Sequence, residues 1–127
     1  MQEKQLFEYA IIRVMPRVER GEFINVGVIV YCAKQRFLKI LFQLNKERLL
    51  TFSDKIDLTE IEERLRAFEL VCIGSTEGGP IGKLPLASRF RWLIAARSTV
   101  VQTSSVHPGL CIDPQKMLQR LYEQMVE

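Results

Sequence analysis

Between Val26 and Ala33 the chain runs Val-Gly-Val-Ile-Val-Tyr-Cys-Ala without a charge, and Lys34 and Arg36 follow closely. Apolar, β-branched residues at this density favour the pleated backbone of a strand. The run falls well short of the roughly 18 apolar residues that a membrane helix needs, so a strand in a globular domain is predicted and no membrane span is expected. Side chains alternate along a strand. Val26, Val28, Val30 and Cys32 are therefore placed on one face, and Asn25, Gly27, Ile29 and Tyr31 on the other.

The flanking segments extend this strand into a sheet. Phe7 to Val18 is apolar and β-branched, interrupted by Glu8 and Arg13, and Pro16 suits a strand end or edge. Glu19-Arg20-Gly21-Glu22 is a polar turn, which makes the first two strands a hairpin. After a Lys34-Gln35-Arg36 turn, Leu38, Ile40, Phe42 and Leu44 give a third strand its core face, so a three-stranded antiparallel meander is predicted. Its second face carries Tyr9, Ile11, Arg13, Lys39, Leu41 and Gln43, too apolar a set to be simply wet. The C-terminal half, a second copy or a partner could each cover it.

Helical signals follow. Asn45 can cap a short turn through Leu50, and Asp57 with Glu60 can cap a longer helix to about Ile73. In that helix Leu58, Ile61, Leu65, Phe68 and Cys72 recur at spacings of three and four, while Glu60 with Arg64 and Glu62 with Arg66 make i,i+4 pairs on the wet side. Gly74 to Pro85 reads as a structured loop, Ser88 to Ala95 as a helix, Thr99 to Thr103 as a strand, and Val106-His107-Pro108-Gly109 as a turn. Asp113 and Pro114 cap a last helix with a stripe of Met117, Leu118, Leu121, Tyr122 and Met125. The predicted class is α+β: an antiparallel meander of three or four strands packed against two or three helices, in a single domain over residues 1–127. A length of 127 residues with 47% hydrophobic and 26% charged residues is enough to pack a core without staples.

Cys32, Cys72 and Cys111 are widely spaced and form no CxxC pair, so no disulfide is expected. The N-terminal Met1-Gln2-Glu3-Lys4-Gln5 has no export signature, which predicts a cytoplasmic protein. With one histidine and scattered cysteines the chain lacks the clustered ligands of a structural zinc site, and neither a metal nor a cofactor is predicted.

Catalytic motifs are also thin. Gly82-Lys83 ends a glycine-containing loop, but Glu77 and Leu84 stand where a Walker loop needs glycine and Ser or Thr. His107 is the one available imidazole base, and its flanking Pro108-Gly109 favours a turn histidine bonding locally over a catalytic one. The charge distribution is more informative. Gly78 to Ile112 holds Lys83, Arg89, Arg91 and Arg97 with no Asp or Glu, a charge of +4, whereas the remaining residues hold 14 basic and 15 acidic groups. Together with Phe90 and Trp92 this segment could track a phosphate backbone, clamp a partner's carboxylates, or simply pack with its arginine heads in water. A second polar concentration, Arg13, Arg17, Glu19, Arg20, Glu22 and Asn25, surrounds the first hairpin. Arg13 stands out because it lies mid-strand among apolar neighbours and, if buried, requires a partner.

The segments Arg17-Val18-Glu19-Arg20-Gly21-Glu22-Phe23-Ile24-Asn25-Val26-Gly27, Gly79-Pro80-Ile81-Gly82, Arg89-Phe90-Arg91-Trp92-Leu93 and Arg97-Ser98-Thr99 occur in this order. In them the chain resembles the bacterial domain of unknown function 3037, from about Phe7 to the final helix, departing at Ala96 where proline is more typical. The resemblance implies no catalytic residue or cofactor. It does imply a genetic setting beside HipA-like kinases, and with it a toxin–antitoxin or regulatory protein partner. The leading expectation is a non-enzymatic binding or adaptor module using the mixed sheet face or the basic segment, with a homodimer also open. The alternatives are nucleic-acid binding through Lys83, Arg89, Arg91, Trp92 and Arg97, and a small enzyme built on Arg13, Arg17, Glu19 and His107.

Overall fold

The computed structural model describes residues 3–16, 21–53, 56–74, 76–95 and 100–126. Strands β1 (Gln5–Val14), β2 (Ile24–Cys32) and β3 (Phe37–Phe42) form the predicted antiparallel meander. Two further strands, β4 (Val101–Thr103) and β5 (His107–Cys111), lie end to end along the free edge of β1, giving the order β3-β2-β1-β4 with β5 also on β1. Between them Ser104 keeps the ladder closed. Its N–H donates to Ile11 O at 2.8 Å, and its Oγ accepts from the Ile11 N–H at 2.8 Å, so the interrupted edge leaves no orphan on β1 there.

Among the described residues, helices α1 (Lys46–Phe52), α2 (Leu58–Ile73), α3 (Gly79–Gly82) and α4 (Leu86–Leu93) precede β4, and α5 (Pro114–Met125) follows β5. Helices α1, α2 and α4 cover one face of the sheet, where Leu49, Ile61, Leu65, Phe68, Phe90 and Leu93 pack on Ile12, Val14, Ile29 and Tyr31. On the other face α5 sets Leu118 and Leu121 against Phe7, Ile11, Val28 and Val30. The mixed face is thus covered in part by the C-terminal half, with Tyr122 Oη donating to Gln43 Oε1 at 2.9 Å and Lys39 Nζ to Gln115 Oε1 at 3.2 Å.

The strict alternation predicted for β2 breaks at one place. Ile12 pairs with Gly27 but Arg13 pairs with Asn25, so Val26 is the extra residue of a β-bulge. Beyond the bulge the faces exchange: Val26 joins Ile24, Ile29 and Tyr31 in the core under α2, not Val28 and Val30. Asn25 consequently turns toward α5, where its Nδ2 donates to Met125 O at 3.1 Å.

The caps stand where the sequence placed them. Asn45 Oδ1 accepts from Arg48 N at 3.0 Å, Asp57 Oδ1 from Glu60 N at 3.2 Å, and Asp113 Oδ1 from Gln115 N at 3.0 Å. Other details differ. Arg64 pairs with Glu60 as predicted, but Arg66 turns to Glu69, one helical turn onward, and not back to Glu62. Gly74 to Pro85 is not irregular throughout, since it winds into a 3₁₀ turn (Thr76–Gly78) and α3 after Gly74 ends α2 at φ 80°. His107 to Gly109 is strand, not turn: Pro108 is tolerated at a sheet edge, and Gly109 makes room for the Phe7 ring, which a Cβ would approach to 2.6 Å. In α5, Met125 is 39% exposed and Val126 closes the core in its place.

Candidate functional site

Because Val26 bulges out, Arg13 and Asn25 face one another directly across β1 and β2. The guanidinium carbon of Arg13 lies 4.1 Å from the centroid of the Phe23 ring, and Phe23 itself is 42% exposed. Two buried side-chain polar atoms among the described residues have no hydrogen-bond partner, and both belong to this pair: Arg13 Nε and Asn25 Oδ1. One is a donor carrying part of a positive charge and the other an acceptor. A desolvated donor or acceptor without a partner costs about 1–3 kcal/mol, so retaining both in one cross-strand pair is expensive to the fold. Beside Asn25 a cavity of about 380 Å³ opens between β2, Gln43, Asn45, Arg48 and Val126. The site therefore joins an arginine, an amide acceptor and an exposed aromatic ring at the bulge, where the last turn of α5, with the exposed Met125, meets the sheet.

Other candidates of the hairpin and basic segment disperse. Arg17, Glu19, Arg20 and Arg97 lie outside the described residues. Arg89 is committed to the fold: its Nη1 donates to Val71 O and Cys72 O, each at 2.9 Å, and its Nε to Leu84 O at 3.0 Å. It thereby holds the C-terminal carbonyls of α2, packed against Gly74 so closely that a Cβ there would stand 2.5 Å from Nη1. Arg91 reaches out of its acid-free segment to Glu8 of β1 at 3.3 Å. Trp92 is half-buried and meets Phe68 edge-on at 6.1 Å, while Lys83 is exposed. The long-range contacts of Arg89 and Arg91 could not be read from local sequence, which shows a basic run and not where its carbonyls and carboxylates come from.

His107 is exposed on β5, its ring 5.3 Å from that of Tyr9. It is opposite Tyr9 while Gln102 is opposite Arg13, a separation of four β1 residues or roughly 14 Å at about 3.4 Å per residue. An imidazole that far from the guanidinium does not share a pocket with it. Cys72 and Cys111 are poor nucleophiles too: burial, opposed by the Arg89 charge and aided by Glu69, pushes Cys72 up to about 12, and burial with Cys32 and Asp113 raises Cys111. All three cysteines are free. Among the described residues no group of three His, Cys, Asp or Glu could hold a metal, and no helix is long and apolar enough to cross a membrane.

Phe23 and Met125 are the members of the site that sequence reasoning missed. Phe23 has a local signal, an aromatic residue placed between Glu22 and the strand, but the partnership with Arg13 depends on the bulge.

A five-stranded antiparallel sheet with helices on both faces and a polar pair at its bulge defines a small α+β module. The chain belongs to the family described as protein of unknown function DUF3037, whose model matches residues 9–126. No curated protein and no solved structure matches the chain.

Proposed function

We propose that the chain is a non-enzymatic binding module that docks a protein partner on the sheet face beside α5, with Arg13 as the anchoring cation. The observation that carries this is the pair of unpartnered buried atoms, Arg13 Nε and Asn25 Oδ1, on facing strands. Both atoms are buried in the free chain, so docking is proposed to reorder the bulge, a partner carboxylate then satisfying the first and a partner N–H or O–H the second. The surrounding Phe23 and Met125 supply exposed apolar area next to the arginine, the composition typical of energetic centres in protein interfaces. The family resemblance makes a HipA-like kinase the first partner to try.

Nucleic-acid binding through segment 83–97 is less well supported, because Arg89 and Arg91 are already engaged by α2 carbonyls and Glu8. The test is comparative capture from lysate with wild-type bait, Arg13→Met, Asn25→Ala and Lys83→Ala. Loss of one stoichiometric protein in the first two variants and its retention in the third is the expected result; loss only with Lys83→Ala, or recovery of nucleic acid in its place, overturns the reading.

A further inference from the structure

Strand β3 closes the sheet on the side away from β1, and its outer edge is unpaired. Among the described residues, the backbone of Phe37–Phe42 makes no hydrogen bond outside the β2 ladder. Among the described residues, no strand pairs with this edge. It is bordered by two cavities that share Glu69: one of about 440 Å³ at the Arg36 end, and one of about 630 Å³ at the Phe42 end. An open row of N–H and C=O groups flanked by a groove is a template for another strand, and natural proteins either block such an edge or use it.

The charges along this groove identify what fits it. Arg36, exposed, marks the end where β3 begins, while the neighbouring Lys39 points to the α5 face, where its Nζ donates to Gln115 Oε1. Glu62 and Glu63, both exposed, stand beside Phe42 where it ends, because α2 runs antiparallel to β3. Between them Glu69 and Arg66 neutralise each other. The strip is thus basic at one end and acidic at the other. Antiparallel pairing about a two-fold axis reverses one strip on the other, setting each basic end on an acidic end, and such a contact satisfies itself twice.

We infer that the outer edge of β3 is the interface for a second copy of this chain, the two strands pairing antiparallel with Ile40 near the two-fold axis. In this register Leu38 faces Phe42 of the second copy on the α2 side, continuing an apolar row. Lys39 faces Leu41 of the second copy, not its own counterpart, so the edge lysine that guards against indiscriminate pairing is accommodated. Arg36 falls beside Glu62 and Glu63 of the second copy. The result is one continuous sheet across two copies, with both Arg13–Asn25 sites left open, and it stands independently of the function proposed for those sites.

Sedimentation equilibrium of the full chain at low and at physiological ionic strength tests this, with Arg36→Glu, a Glu62→Lys/Glu63→Lys variant and the combination of all three. A dimer is expected whose dissociation constant rises about tenfold or more in each partial reversal, as for like charges brought together, and recovers in the combination. Amide hydrogen exchange supplies an independent readout: amides of Phe37–Phe42 that point away from β2 should gain protection as concentration rises. A monomer at every concentration, or a dimer indifferent to the reversals with no protection at β3, overturns the inference.

Discussion

Arg13 on β1 and Asn25 on β2 are register partners only because Val26 bulges from the ladder, and each keeps one buried polar atom without a hydrogen bond. The bulge also turns Asn25 toward the last turn of α5, so the polar pair, the sheet and the C-terminal helix meet at one point. Asn25→Ala removes the donor to Met125 O together with the unpartnered Oδ1, so the two effects offset and stability, read from the denaturation midpoint, should change by less than about 1 kcal/mol, while hydrogen exchange becomes faster at the end of α5.

Arg89→Ala strips three backbone carbonyls, Val71 O, Cys72 O and Leu84 O, of their shared donor. A loss of about 2–4 kcal/mol in chemical denaturation is expected, and Arg89→Lys should recover only part of it because one ammonium cannot reproduce the planar fork. By contrast, Lys83→Ala, at an exposed position, should change stability by less than about 0.5 kcal/mol.

Those two outcomes bear on what the sequence could show. The meander, the three caps and the apolar stripe of α2 were legible because they rest on local signals: period two, period 3.6 and Asx residues ahead of helices. The role of Arg89 was not, since two of its three acceptors lie 17 and 18 residues away and a basic run looks the same whether its members are free or committed. The bulge escaped for a related reason. Val26 and Val28 are chemically interchangeable in a strand pattern, so only pairing with β1 reveals which of them faces α2.

Ser104 replaces a ladder bond with its side chain at the break between β4 and β5. Ser104→Ala leaves the Ile11 N–H buried without an acceptor, and a destabilisation of about 1–3 kcal/mol is expected in equilibrium unfolding. Ser104→Thr, which keeps the hydroxyl, should lose less.

Burial raises Cys72 from 9.0 to about 12. The folded state therefore holds its proton after the unfolded chain has released it. The stability tied to the neutral thiol is present in full below pH 9.0 and falls as pH rises toward about 12. Denaturation midpoints measured across this window should drop less steeply for Cys72→Val than for the wild type, and Cys72 should resist alkylation near neutral pH in the native state.

The most direct test of the account is Arg13→Met, followed by denaturation and partner capture on the same preparation. With its buried Nε unpartnered, the Arg13 guanidinium adds little to the fold beyond its stacking on Phe23, so the variant should be as stable as the wild type to within about 1 kcal/mol, while capture of the protein partner is lost. A variant destabilised by more than this, or one that still captures the partner, would contradict the claim that Arg13 is kept for binding.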